Sequence, residues 1–227
     1  MKSLPKYAPL LLAVLAAAPP SFAAGFDDAV RAQFFSGFFG DQAALEKAMT
    51  SAEAVIAANA PETPEALAWH GGGLMVQSGQ RFRAGEGRAA GELWARGLGE
   101  MERAGQLAPK NPAVLIPRAA IWFAVSRQAP PDRARPLLEK AISDYELVYH
   151  IQESYFDTLN NHMKSQLLFG LADGYNRTGN PEKAKFYFEK LSALGSGVDH
   201  VDQARRYLAG ETYTVTGPGC GGCHDSK

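Results

Sequence analysis

Both cysteines of this chain lie close to its C-terminal end, in the run Cys220-Gly221-Gly222-Cys223-His224. Two thiols at this spacing can reach the two vinyl groups of one haem, and the imidazole that follows can coordinate the iron. C-x-x-C-H is the pattern of covalent c-type haem attachment. We therefore predict that Cys220 and Cys223 bind one haem c covalently and that His224 is an axial ligand of its iron.

The same residues leave other chemistry open. A Cys220–Cys223 disulfide would close a very small loop and stabilise little beyond it. A thioredoxin-like centre needs its first cysteine at a helix N-terminus beside a sheet, and the preceding Gly217-Pro218-Gly219 indicates neither. The motif supplies three metal ligands, whereas structural zinc takes four. A thiol or metal site therefore remains the alternative to haem.

The N-terminal segment has the features of an export signal. Lys2 and Lys6 form a positive region, Leu10–Ala18 an apolar region, and Ser21-Phe22-Ala23 a small-residue cleavage site. We predict a signal peptide over residues 1–23 and export to the periplasm, the compartment in which c-type haem attachment would take place. A domain over residues 24–209 and a tail over residues 210–227 would follow.

Charge and hydropathy restrict the partners of the mature chain. The sequence has 23 basic and 24 acidic side chains, and loss of Lys2 and Lys6 leaves 21 against 24, a net charge of −3. This balance argues against nucleic acid or an anionic membrane as the partner. No later segment approaches eighteen uninterrupted apolar residues, so we expect no transmembrane anchor in the mature chain.

Helical periodicity runs through almost the whole sequence, with breaks at glycine and proline. These breaks are Gly40, Pro61, Pro109–Pro112, Pro130-Pro131, Gly179 and Gly195. The fold class predicted is all-α, as short antiparallel helix pairs. In the clearest pair, over residues 165–194, a turn at Thr178–Pro181 joins two apolar faces, formed by Leu168, Leu171, Ala172 and Tyr175 and by Ala184, Phe188 and Leu191.

This pair resembles the tetratricopeptide repeat, in which small residues let two helices approach closely. Weaker copies precede it, and their equivalent small residues, Gly97, Ala134 and Ala184, are 37 and then 50 residues apart. An uninterrupted array would repeat about every 34 residues. We therefore expect an irregular α-solenoid, with insertions over residues 80–90 and 149–163 and an extended C-terminal tail.

The resemblance covers roughly residues 40–227 and implies a concave groove that binds a redox or assembly partner protein. It leaves the oligomeric state open. By register with the repeat, the groove would display Phe123, Ser126, Arg127, Phe169, Asp173, Asn176 and Arg177.

The short C-terminal motif cannot cover the apolar faces of a porphyrin by itself. The pocket must come from the helical body, from another chain, or be half-open. Candidates for the second axial ligand are His200, His162 and Met163, with His150 behind them, and five-coordinate iron is equally open. Arg127 and Arg177 could bond the haem propionates or be ordinary groove residues.

Catalytic patterns are weak. His70-Gly71-Gly72-Gly73 resembles the oxyanion loop of esterases, but the sequence has no G-x-S-x-G element to accompany it. We predict a protein that is not an enzyme: an exported monohaem c-type cytochrome that relays electrons or docks a redox partner. The alternative is a tetratricopeptide-like binding or assembly module without haem.

Overall fold

The computed structural model describes residues 26–213, and within them it consists of α-helices, turns and one 3-10 helix. The predicted signal peptide and the Cys220–His224 motif lie outside these residues. The α-helices are α1 Asp28–Phe38, α2 Gln42–Ala57, α3 Thr63–Arg83, α4 Gly87–Leu107, α5 Pro112–Ser126, α6 Pro131–Gln152, α7 Asn161–Arg177, α8 Pro181–Ser192 and α9 Val201–Leu208; the 3-10 helix is Glu153–Thr158. The prediction of an all-α protein is confirmed.

Helix boundaries follow from local chemistry. Asp and Asn side chains accept hydrogen bonds from the free N–H groups of the first turn in α1, α2, α5, α7 and α8. Proline opens α5, α6 and α8, where its missing N–H costs nothing. Gly40 and Gly179 adopt positive φ values of 109° and 80° just after α1 and α7, a conformation that glycine reaches without a Cβ clash. Every predicted break falls between helices or includes the first residue of one.

Sequence neighbours pack together as helical pairs: α1 with α2, α3 with α4, α5 with α6, and α7 with α8, while α9 covers α8. Short turns between long helices favour this arrangement. One cluster of buried side chains joins α1, α2 and α3, and a larger one runs through α5 to α9 and includes Trp122, Phe169 and Phe188. None of the helices within residues 26–213 is long and apolar enough to cross a membrane.

The two predicted insertions are largely helical. Residues 80–90 contain only a short turn, because α3 continues to Arg83 and α4 begins at Gly87. Residues 149–163 contain the end of α6, the 3-10 helix and the start of α7. In α6 the helix persists because Val148 and Gln152, one turn apart, are both buried.

The glycine run of α3 has a packing role. A Cβ on Gly71 would lie 2.8 Å from the carbonyl oxygen of Gly97, and a Cβ on Gly97 would lie 2.7 Å from that of Gly71. A Cβ on Gly72 would lie 2.1 Å from Ile121 Cδ1. The run therefore lets α3 approach α4 and α5 more closely than any larger residue would allow.

Candidate functional site

The predicted groove surface is wrong, because much of it is core. Phe123 is 3% exposed, Phe169 1% and Asp173 3%. Phe123 meets Tyr145 and Phe169 in edge-to-face contacts with ring centroids 6.3 Å and 6.4 Å away. In the repeat register these positions would be open. Here His200 and Tyr213 lie against Phe169, Tyr213 bonds Asp173, and two arginines lie over Phe123.

Asp173, buried near the middle of α7, joins three elements. Its Oδ2 is 2.8 Å from the guanidinium of Arg127, at the end of α5, and 3.8 Å from that of Arg177. Its Oδ1 accepts a 2.7 Å hydrogen bond from the hydroxyl of Tyr213, beyond α9. Asn176 also donates to that hydroxyl, at 3.3 Å. Two arginines and a phenol thus compensate one buried carboxylate.

Each arginine of this cluster contacts an aromatic ring as well as the Asp173 carboxylate. Arg127 and Arg177 place their guanidinium carbons 4.7 Å and 5.5 Å from the ring centroid of Phe123. Arg177 also donates a 2.9 Å hydrogen bond to Ser126 Oγ. Burial lowers the pKa of Arg177. Because Arg127 and Arg177 both pair with Asp173, we do not assign them to the haem propionates.

Tyr213 is packed as well as hydrogen-bonded. Its ring meets those of Phe169, Phe188 and Tyr207 at centroid distances of 6.4 Å, 5.6 Å and 6.3 Å. Burial, with the neighbouring Asp173 carboxylate, raises the pKa of the Tyr213 hydroxyl. The phenol therefore remains a hydrogen-bond donor at neutral pH and holds Tyr213 against α7.

His200 is an internal packing residue in this structure. It has a positive φ of 64°, and its ring stacks on Phe169 at 4.0 Å with an interplanar angle of 10°. Its Nε2 lies 3.3 Å from the Gln166 amide nitrogen. Burial lowers its pKa. One face of the His200 ring therefore packs on Phe169, and its Nε2 is within hydrogen-bond distance of Gln166.

The other three predicted axial-ligand candidates are closer to solvent. His162 Nδ1 is 2.7 Å from Asp199 Oδ2, and His150, with its side chain 80% exposed, lies 3.5 Å from Glu153. Met163 is 41% exposed. The structure brings His162 and Met163 to one cavity, and places His200 one helical turn away behind Gln166 and Phe169.

That cavity has a volume of about 940 Å³. Its walls come from α1, α3, α4, α5, α6 and α7, and are mostly apolar. Six aromatic side chains line its α1, α3 and α4 sides: Phe35, Phe38, Phe39, Trp69, Phe82 and Trp94. A cavity of this size and character is typical of a ligand site.

The charged side chains that line the cavity within residues 26–213 are Arg83 and Arg133, together with the titratable His162. Neither arginine pairs with a carboxylate elsewhere in the described part of the chain, and the lining contains no Asp or Glu. The cavity therefore suits an apolar molecule that carries negative charge at its edge.

Part of this site was accessible to sequence reasoning and part was not. The run Phe34–Phe39 signals unusual aromatic density, and Met163 and His162 were already candidates. Nothing in the linear pattern assigns Trp69, Phe82 and Trp94 to the same wall, because their helices meet only through tertiary packing.

A second polar cluster lies away from the cavity. His70, wholly buried in the middle of α3, has its Nδ1 2.5 Å from Glu100 Oε2 and its Nε2 3.4 Å from Glu53. Arg96 is 2.8 Å from Glu100 as well. His70 sits inside a helix rather than on a loop, which is a different setting from an oxyanion loop. The residues described contain no group of three metal-ligating side chains placed to hold an ion.

Comparison with known proteins gives no family assignment: no family model, no curated protein and no solved structure matches this chain.

Proposed function

We propose that the chain is an exported monohaem c-type cytochrome, built on a tetratricopeptide-like helical body, that relays electrons or docks a redox partner. The observation that carries the proposal is the motif Cys220–His224, which uses both cysteines of the sequence in the order that haem attachment requires. The predicted signal peptide supplies the export that this chemistry needs.

The described body fits such a group. Porphyrin faces need apolar cover, and the cavity offers aromatic and aliphatic walls with two arginines at the lining. The chain also leads back toward the body, because Tyr213 is tied to Asp173 on α7 only seven residues before Cys220. These observations support a haem carried close to the helices.

A bound haem supplies a one-electron centre at its iron. The residues of this chain would have separate tasks around it: Cys220 and Cys223 hold it covalently, His224 provides a nitrogen ligand, and the helical body limits the access of water. Burial and hydrogen bonding of this kind adjust a haem potential.

Export of the full chain in cells with the cytochrome maturation machinery tests the proposal. We expect an intact mass increased by one haem and a sharp absorption band of the reduced form that survives denaturation. Cys223→Ser should lose double attachment, whereas Ser192→Ala, a change at a partly exposed position of α8, should keep it. An unmodified mass in the wild-type protein would refute the proposal.

A second function is favoured by the cavity itself, independently of the tail. A haem-free binding module would use the same apolar walls to hold a partner segment or solute, with the cysteine tail serving as a thiol or metal site. In that case a chain ending at Tyr213 would bind as tightly as the full chain. A haem protein would instead lose its spectrum and its electron transfer on this truncation.

A further inference from the structure

We infer that the cavity lined by α1, α3, α4, α5, α6 and α7 is the seat of this chain's own haem, with Met163 as the axial ligand opposite His224. The inference rests on the proposed function and goes beyond it, since it names the pocket, the second ligand and the chain that supplies them. It commits the cavity to one occupant, the haem carried by residues 214–227.

The first support is apolar surface that the body leaves exposed. Of the eight large hydrophobic side chains that are exposed in residues 26–213, four line this cavity: Phe39, Phe82, Ile116 and Met163. Phe82 is 73% exposed and Phe39 48%. Exposed aromatic groups gathered around one concavity indicate a surface that something apolar covers.

The second support is charge. Haem carries two carboxylates on an otherwise apolar ring. Arg83 and Arg133 line the cavity, and neither has a carboxylate partner among the described residues, in contrast to Arg127 and Arg177, which are already held by Asp173. Arginine bonds carboxylate in a planar, two-point geometry. Two propionates and two available arginines are complementary.

The third support is the place where the described chain ends. The ring of Tyr213 lies 6.4 Å from that of Phe169, which stacks at 4.0 Å on His200, and His200 lies 3.3 Å from Gln166, a cavity residue. Seven residues from Tyr213 to Cys220 span up to about 24 Å when extended. The attachment cysteines can therefore reach the cavity of their own chain.

Among the four candidate ligands, the contacts favour Met163. Met163 lines the cavity, and its backbone is fixed because Met163 N–H donates a 2.8 Å hydrogen bond to the Asn160 cap of α7. His162 faces the same cavity but is engaged with Asp199. His200 and His150 do not line it. Methionine opposite histidine is an established haem ligand pair.

The experiment uses the full chain, exported and haem-loaded, with attachment verified first by intact mass. Met163→Leu keeps the size of an exposed side chain and removes its sulfur. We expect the far-red charge-transfer band of sulfur-ligated ferric iron to disappear, and carbon monoxide to bind the ferrous iron at least about tenfold faster, since the sixth position is then open.

A pair of glycine variants tests the seat independently of the ligand. Gly91 and Gly99 are both exposed on α4, and a Cβ at either position would meet nothing within 4 Å, but only Gly91 lines the cavity. The indole of Gly91→Trp should fill part of the cavity that haem needs and so raise the rate at which carbon monoxide binds. Gly99→Trp should leave that rate at the wild-type value. Equal effects of the two tryptophans would overturn the inference.

The outcomes separate this inference from the proposed function. If haem is attached but neither Met163→Leu nor Gly91→Trp changes the spectrum or the rate of carbon monoxide binding, the haem lies elsewhere and the cavity assignment is wrong. The proposal that the chain is a cytochrome would still hold in that case. If the wild-type mass shows no haem, the proposed function fails before any variant is compared.

Discussion

The hydroxyl of Tyr213 donates a 2.7 Å hydrogen bond to Asp173 Oδ1 and so ties the chain beyond α9 to the middle of α7. Asp173 is also paired with Arg127, at the end of α5. One buried carboxylate therefore connects an arginine 46 residues before it with a tyrosine 40 residues after it.

Removing the Tyr213 hydroxyl should loosen this connection. In Tyr213→Phe the ring still packs on Phe169, but Asp173 loses an accepted hydrogen bond in a buried place. We expect the free energy of unfolding to fall by about 1–2 kcal/mol, measured by urea denaturation. Tyr155→Phe, at an exposed tyrosine, should change it by less than about 0.5 kcal/mol; equal losses would contradict the role assigned to the Asp173 bond.

Alanine at two helical glycines should have opposite effects. Gly71→Ala places a Cβ 2.8 Å from the Gly97 carbonyl oxygen, part of a backbone that cannot move aside cheaply, and should destabilise the fold by about 1–3 kcal/mol. Gly99→Ala, on α4 with nothing within 4 Å, should stabilise it by about 0.5–1 kcal/mol through better helix propensity. Thermal unfolding of the two variants beside wild type measures both. A neutral Gly71→Ala would show that α3 and α4 are not in close contact there.

Ionisation of Asp144 should make the protein less stable as the pH rises from 3.8 to about 6. Burial raises its pKa from 3.8 to about 6 and outweighs the opposing effects of Arg118, 3.2 Å away, and Lys140. Because the folded pKa lies above the unfolded one, stability is complete below pH 3.8 and is lost as the pH rises through about 6. A pKa change of this size corresponds to about 3 kcal/mol.

Denaturation curves between pH 3.5 and pH 7, roughly the interval set by the two pKa values, test this titration. Asp144→Asn should flatten the fall in stability across that interval, because the side chain no longer ionises. Asp132→Asn, at an exposed position on the same helix, should leave the slope as it is in wild type. A wild-type slope in Asp144→Asn would assign the titration to another group.

Protonation of His200 should have the opposite pH dependence and make the protein less stable as the pH falls. Burial lowers its pKa, with Arg127 and His162 adding to that effect and the carboxylates of Asp199 and Asp173 opposing it. Since the folded pKa lies below the unfolded value of 6.5, its contribution to stability is complete above pH 6.5 and is lost as the pH falls through the folded pKa.

Nuclear magnetic resonance titration of the imidazole measures this shift directly. The pKa of the His200 ring should lie below the ordinary histidine value of 6.5. His200→Asn keeps a residue that tolerates the positive φ of 64° but loses the ring stack on Phe169. It should cost about 0.5–1.5 kcal/mol at pH 8, the usual value of an aromatic pair. A His200 pKa above 6.5 would contradict the buried environment.

Local signals in the sequence predicted the helices well. Gly40, Pro61 and Gly179 mark turns in the structure as they do in the pattern, and the pair around Ala172 and Ala184 is predicted because apolar residues recur at helical spacing within each of its two helices. Of the two stretches predicted as insertions, residues 80–90 are mostly the end of α3 and the start of α4, whereas residues 149–163 do contain the connection between α6 and α7.

Groove residues were predicted less well, because a repeat register says which helix face a residue occupies but not what covers that face. Asp173 and Phe123 were assigned to an open surface, and the structure buries both, with Tyr213 from beyond α9 contributing to the cover. The covering residues are distant in sequence, so no local pattern reports them.

The sequence by itself determined the helical class, the turns and the order of Cys220, Cys223 and His224, because these depend on residues that are neighbours along the chain. Only the tertiary structure decided that Phe39, Phe82 and their neighbours share one apolar cavity of about 940 Å³, and that Tyr213 returns to α7. Burial and shape arise where helices distant in sequence pack together, and that packing sets which side chains face a common space.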